Sequence, residues 1–319
     1  MSDLILHNHN DDGVNRLGFL KCMAWSGTGM LWAAAGGTLA SGILRPVGAL
    51  AADKNAGADF TFVQISDSHI GFSKDANKDV LGTLKEAVAK INALPTAPDF
   101  VLHTGDLTHL SEAEEFDALE QILKTCKAGR IFYVPGEHDV LNDNGKQYLE
   151  RFGKDTKGKG WFSFGHKGTH FIGLNNVSLI REGGLGQLGD EQLAWLEDDL
   201  KAVSDSTPVV VFAHIPLWEV YPQWGWGTDD GARALGLLKR FGSITVLNGH
   251  IHQVMKKTEG NATFHTAMST AFPQPAPGTA PKPGPMKVDA GKLRSVLGIT
   301  DVTYSAGKHA LAIVDATLG

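Results

Sequence analysis

The chain has 319 residues, 42% hydrophobic and 20% charged, with a formal net charge of −6. Those are ordinary globular values, and the negative balance argues against general binding to nucleic acid, which needs a basic face. Only Cys22 and Cys126 are present, so no disulfide framework exists.

The N-terminus reads as a targeting segment. Residues 1–21 are polar, Met30 to Leu44 is an apolar, small-residue run, and Ala49-Leu50-Ala51 is an A-x-A cleavage pattern. The run is too short and Gly-rich for a stable membrane span. Asn15-Arg16-Leu17-Gly18-Phe19-Leu20-Lys21 is similar to a twin-arginine export signal with Leu17 in place of the second Arg. Residues 1–51 are therefore expected to be an export leader to the periplasm; the alternative is a disordered tail on a cytoplasmic protein. About 265 residues then remain, a size compatible with one α/β core.

From Phe60 the chain alternates strands and helices. Phe60–Ile65 has the period-2 character of a strand and leads into Asp67-Ser68-His69. Lys78–Leu94 is an amphipathic helix with Leu81, Leu84, Val88 and Ile91 near one face. Phe100–His103 is a second strand, followed by Gly105-Asp106. Ser111, with Glu114 three residues on, has the spacing of a capping box opening a helix whose apolar face carries Phe116, Leu119, Leu123 and Cys126. Ile131–Val134 is a third strand, after which Pro135-Gly136 presents Glu137, His138 and Asp139. This βαβαβ order implies a parallel sheet with polar residues at the carboxyl ends of its strands.

In the second half, Trp161–Phe164 and Thr169–Leu174 read as an antiparallel pair. Asp190–Val203 is a helix with Leu193, Leu196 and Leu200 inward. Pro208–Phe212 is a buried strand ending at His214, and Ile244–Leu247 precedes Gly249-His250-Ile251-His252. Ala262–His265 and Ala310–Val314 are later strands. Residues 273–285 hold six prolines in thirteen positions, an extended connector read as a passive tether, with wrapping of the domain or binding of a partner as the alternatives. Leu293–Leu297 suggests a short helix, and Thr300–Leu318 a closing hairpin on the same domain. The sequence carries no internal repeat and leaves oligomeric state open.

Five runs thus put carboxylates and imidazoles just after apolar stretches, where side chains from several strands can converge at one sheet edge. Three carboxylates and several neutral imidazoles suit divalent transition ions better than Ca or Mg. Any single D-x-H or H-x-H is weak evidence; five in order make coincidence improbable.

In this order the runs resemble the calcineurin-like metallophosphoesterases, whose pattern is D-x-H, G-D, G-N-H-D, a lone His, then G-H-x-H. The match spans roughly Phe60 to Met268 and is similar to the small bacterial cyclic-nucleotide phosphodiesterase branch. It implies a two-sheet β-sandwich flanked by helices, an α/β fold spanning residues 52–272. It also implies a small phosphate-ester substrate and two divalent transition metal ions (Mn, Fe or Zn). By motif carry-over, Asp67, His69 and His252 would bind one ion, and His214, His250 and residue 137 the other, with Asp106 as bridge. Two ions about 3.5–4 Å apart activate a water to attack phosphorus in line. His138 would protonate the leaving oxygen, with Asp139 holding its ring in the correct tautomer; Asp139 also reads as a helix N-cap, and both roles are compatible. The expected function is phosphoester hydrolysis, with phosphodiesters preferred. The alternatives are a general phosphomonoesterase and a non-catalytic metal-binding scaffold of the same fold.

Glu137 departs from the family's Asn. With two divalent ions, Asp67 and Asp106 leave a formal +2, and a ligating Glu137 reduces it to about +1. That charge favours a phosphodiester monoanion over a monoester dianion; the alternative is that Glu137 swings away and water takes its place. His109 stands where the purple acid phosphatase branch has its iron-binding Tyr, so tyrosinate colour is not expected. His109 and His265 are candidate second-layer residues, while His103, His166 and His170 read as packed. Trp218, Tyr221, Trp224 and Trp226 follow His214 closely and form a candidate substrate loop, or else a loop pinned to the body by buried tryptophans.

Overall fold

The computed structural model describes residues 58–319 apart from 182, 307, 309 and 310. The leader-like Asn15–Lys21 run and the Ala49–Ala51 pattern lie outside the described residues, as does His309.

The first half runs β1 (Phe60–Ile65), α1 (Val80–Asn92), β2 (Phe100–His103), α2 (Ala113–Leu123) and β3 (Ile131–Tyr133). A 3-10 turn at Glu137–Val140 and α3 (Lys146–Phe152) follow. The chain continues through β4 (Phe162–His166), β5 (Thr169–Gly173), the small hairpin β6 (Leu179–Ile180) and β7 (Gly186–Gln187), and α4 (Asp190–Leu200). Next come β8 (Val209–Phe212), α5 (Gly231–Leu238), β9 (Ile244–Asn248), β10 (Lys256–Glu259), β11 (Ala262–Thr266), β12 (Gly298–Tyr304) and β13 (Ala312–Thr317).

Two main sheets form, ordered β13-β12-β1-β2-β3 and β10-β11-β9-β8-β5-β4. β1, β2 and β3 are mutually parallel, as are β5, β8, β9 and β11. Period-2 alternation divides each strand's side chains between two faces. Phe60 and Phe62 of β1, Phe100 and Leu102 of β2, and Val210 and Phe212 of β8 share one apolar cluster between the sheets. Their neighbours Val63, Ile65 and Val101 face α1 and α2, while Val209 and Val211 face α4 and α5. The result is the expected two-sheet sandwich flanked by helices. Phe62 is fully buried among Phe100 and Phe171 rings, so truncation to Ala would cost about 3–5 kcal/mol.

Local chemistry corrects two helix details. Ser111 does not open α2: its backbone is left-handed (φ 53°) and its Oγ accepts the Asn142 N–H at 2.9 Å. Glu112 takes the cap position instead, its N–H donating to Glu115 at 3.3 Å. In α1, Asp79 accepts the Gly82 N–H at 2.8 Å and shifts the start, so Val80, Leu84, Val88 and Ile91 face inward and Leu81 is exposed. Helices α3 and α5, both short, have no counterpart in the sequence reading.

Candidate metal centre

The loops after β1, β2, β3, β8 and β9 meet at one edge of the sandwich. Gln64, buried at the end of β1, donates to Thr104 Oγ1 and to the Asn248 carbonyl, each at 3.0 Å, tying the two sheets together just beneath that edge. Asp67 N–H donates to the Gly105 carbonyl at 3.0 Å, and Gly249 N–H to the His214 carbonyl at 3.0 Å. The strands must stop abruptly to turn these side chains inward, and the backbone shows it. Asp67, His69, Asp106, His250 and His252 all have positive φ, between 41° and 69°. Non-glycine residues adopt that region at a cost, and such strain concentrates at functional sites. Gly105 (φ 93°) permits the close approach: a Cβ there would lie 2.5 Å from His214 Nδ1 and 2.8 Å from Gly136 N.

Five overlapping groups of ligand-type atoms result, each gathered within 4.8 Å, and two of them match the expected sets: Asp67, His69 and His252; and Glu137, His214 and His250. Asp106 Oδ2 lies 3.4 Å from His69 Nε2 and 3.4 Å from His214 Nε2, between the groups. The imidazoles are held by their far nitrogens. His214 Nδ1 donates to the Thr104 carbonyl at 2.7 Å, and His252 Nδ1 to the Phe272 carbonyl at 2.5 Å. Each Nε2 thereby faces into the site, where loss of its proton leaves a lone pair for a cation. There His252 Nε2 lies 3.2 Å from His69 Nε2 and 3.2 Å from Asp67 Oδ1. Buried lone pairs and carboxylates converging this closely fit cations, and outward N–H bonds to carbonyls are the usual support of metal-binding histidines.

Glu137 turns toward the site. Its carboxylate lies 2.9 Å from His214 Nε2 and 2.9 Å from His250 Nδ1. Burial would raise its pKa, but the two imidazoles outweigh burial and hold it well below the usual range. Burial opposes protonation of His214, yet Asp106 and Glu137 raise its pKa well above the ordinary value. For His69, burial and neighbouring His138, His252 and His109 act together to push it well below.

His138 donates its backbone N–H to Asp106 Oδ1 at 2.9 Å, and its Nδ1 lies 2.6 Å from the His109 carbonyl. Its ring stacks on that of His109 at 4.8 Å, and His109 Nδ1 lies 3.4 Å from His69 Nδ1. His109 therefore belongs to the layer supporting the site. Burial lowers the His138 pKa, but Asp106, Glu137 and the His109 carbonyl together raise it.

Several expectations are corrected here. Asp139 does not orient the His138 ring: its carboxylate accepts from Leu107 N–H at 3.1 Å, Thr108 N–H and Oγ1 at 2.8 Å each, and Gly136 N–H at 2.8 Å. It pins the Asp106 loop to the Glu137 turn, and the His109 carbonyl holds His138 in its place. His265 does not reach the site; it pairs with Asp315 Oδ1 at 3.0 Å, linking β11 of one sheet to β13 of the other. Trp218 packs on Phe264, at 5.0 Å, over the outer helical face. The Pro-rich segment is not a passive tether but part of the site's wall. His103 is a core residue bonded to Ser68 Oγ at 2.8 Å, and His166 and His170 pack with Asp99 and Asp199.

Beside Glu137 and His138 opens a cleft of about 300 Å³, lined also by Ile180, Ile215, Trp224, Trp226, His250, Gln274, Pro283 and Gly284. Trp224 stands edge-on to Trp226 at 5.0 Å, and Tyr221 edge-on to Trp224 at 5.2 Å. Phe272, whose ring stacks on His69 at 4.7 Å, and Gln274 were missed from sequence because they belong to no ligand-spacing pattern. Among the described residues no helix is long and apolar enough to cross a membrane.

A family model described as calcineurin-like phosphoesterase matches residues 60–254. The chain is 28% identical to a serine/threonine-protein phosphatase CPPED1 of Danio rerio over 61% of this chain and 70% of the relative. It is 28% identical to a probable cyclic nucleotide phosphodiesterase of Vesicomyosocius okutanii, over 67% and 88% respectively. A glycerophosphodiester phosphodiesterase GpdQ of Enterobacter lignolyticus is 26% identical over 66% and 77%. The fold is similar to that of a dimetal phosphatase from Danio rerio, with TM-score 0.58 and 16% identity over 82% of this chain and 96% of that one.

Proposed function

The chain belongs to the calcineurin-like phosphoesterase family and is a metal-dependent phosphoric ester hydrolase; from that premise we propose that it is a binuclear phosphodiesterase. The observation that carries this reading is the position of Asp106 Oδ2, 3.4 Å from an imidazole of each ligand group. Asp67, His69 and His252 would hold one ion and Glu137, His214 and His250 the other, with Asp106 shared between them. Bound there, a pair of transition ions supplies Lewis acidity and a water of lowered pKa.

The chain's own residues do the rest. The Thr104 and Phe272 carbonyls orient His214 and His252. The His109 carbonyl engages His138 Nδ1, so a proton passed to the departing oxygen would come from Nε2 of the imidazolium form. Glu137 adds a negative charge beside His214 and His250, which penalises a dianionic monoester more than a monoanionic diester. Phosphodiesterase-named relatives support the same preference.

The test is turnover of bis-p-nitrophenyl phosphate against p-nitrophenyl phosphate by protein loaded separately with Mn, Fe and Zn. The diester is expected to be the better substrate, and activity is expected to vanish on chelation. A monoester preference would favour a general phosphomonoesterase, and no turnover of either a scaffold. Export rests on the leader pattern alone and is tested by N-terminal sequencing of protein recovered from the periplasm.

A further inference from the structure

Residues 273–286 form a closed loop. Met286 N–H donates to the Pro273 carbonyl at 2.8 Å, and Gly284 N–H donates to Gln274 Oε1 at 2.9 Å. The other end of the same amide, Gln274 Nε2, donates to the His250 carbonyl at 2.8 Å. Gln253 fastens the loop from outside, donating to the Gln274 and Pro275 carbonyls at 3.0 and 2.7 Å. One side chain thus clips the wall at Pro283 and Gly284 to the backbone of the Gly249–His252 turn. The prolines fix φ along the loop, so the wall is stiff before any ligand arrives, which lowers the cost of binding.

The chemistry of the cleft lining is one-sided. Beyond Glu137, His138, His250 and Gln274, it is built from Ile180, Ile215, Trp224, Trp226, Pro283 and glycine, with no Lys or Arg. Both polar ends of the Gln274 amide are already used within the protein. Among the described lining residues, none is a Lys or Arg that would pair with a second phosphate or a carboxylate on the substrate. A volume of about 300 Å³ accommodates a ring-sized group, and the half-buried Trp224 indole and the Pro283 ring favour flat apolar partners.

We propose that the 273–286 loop is a specificity wall, and that the cleft takes a phosphodiester whose second arm is an uncharged, flat, apolar ring held against half-buried Trp224, which the fully buried Trp226 backs from within the body. Gln274 acts as a positioning residue that keeps the wall in register with the His250 turn. This rests on the phosphodiesterase reading for the reaction, but the recognition is separable from turnover.

The experiment uses non-hydrolysable probes, diphenylphosphinate and dimethylphosphinate, titrated into the metal-loaded full chain by calorimetry, with metal content measured in every variant. Diphenylphosphinate is expected to bind about tenfold or more tighter than dimethylphosphinate, with quenching of tryptophan fluorescence. Trp224→Ala and Gln274→Ala should each reduce that ratio to about threefold or less. A wild-type ratio already that small, or one that survives in Trp224→Ala, overturns the proposal. If Gln274→Ala fails to fold, Pro283→Gly tests the same wall, and an unchanged ratio there also overturns it. Ring-selective binding without hydrolysis of any diester would instead sink the phosphodiesterase reading and leave the wall standing.

Discussion

The Glu137 carboxylate spans two imidazoles, 2.9 Å from His214 Nε2 and 2.9 Å from His250 Nδ1. The neutral, one-methylene-shorter amide of Asn in its place would remove one negative charge from the site. Glu137→Asn is therefore expected to lower the diester-to-monoester ratio of kcat/KM by about tenfold, the effect of roughly one pKa unit of differential charge interaction. Kinetics on bis-p-nitrophenyl and p-nitrophenyl phosphate check it; an unchanged ratio refutes the charge argument.

His138 is placed to protonate a leaving oxygen. His138→Asn should reduce kcat by about 10²-fold or more for diesters with poor, alkoxide-type leaving groups, and far less for p-nitrophenolate, which departs without a proton. The acid form is the active one, so wild-type kcat on alkoxide substrates falls as pH rises and His138 loses its proton. That alkaline limb should disappear in the variant. Equal losses on both leaving groups would assign His138 a purely structural part.

Asp139 is fully buried and accepts from Leu107, Thr108 and Gly136. Burial and the Asp106 charge push its pKa up to about 7, against those donors. Asp139→Ala strands these donors in the interior and is expected to cost about 3 kcal/mol or more in denaturant unfolding. It should also weaken metal binding by about 10–100-fold, because it loosens the loop carrying Asp106. Stability and metal affinity both unchanged would contradict this role.

The strands and the five ligand runs were legible because both are local patterns: alternation along β1 or β8, and D-x-H or G-H-x-H at a strand's end. The partners that aim the ligands were not. Thr104, His109 and Phe272 act through backbone carbonyls, which leave no mark on side-chain identity. His265 looked like a site residue from its position after the last ligand pair. Its partner Asp315 lies fifty residues on, across the sandwich, and only the packing of two sheets reveals it. The Pro-rich run was readable as stiff but not as a wall, since its closure depends on Gln274 meeting His250.

The His265–Asp315 pair gives a pH prediction. Burial would raise the Asp315 pKa, but bonds to His265, Lys256 and Thr300 lower it from 3.8 to about 2. A depressed carboxyl pKa stabilises the fold above the unfolded-state value and ceases to do so as pH falls through the folded one. Asp315→Asn should therefore lower stability by about 1–3 kcal/mol at neutral pH, with a Tm lower by about 2–8 °C. The gap between variant and wild type should shrink between pH 4 and pH 2. Thermal melts across that range check it; a gap that stays constant would show that the carboxylate charge contributes nothing.

The shared carboxylate of Asp106 is tested most directly by metal stoichiometry. Wild-type protein loaded with Mn, Fe or Zn and desalted is expected to retain two ions per chain by plasma mass spectrometry, and Asp106→Ala to retain one or none. Wild-type protein that keeps no more than one ion, or an Asp106→Ala variant that keeps two with undiminished phosphodiester turnover, would contradict a binuclear centre built around that residue.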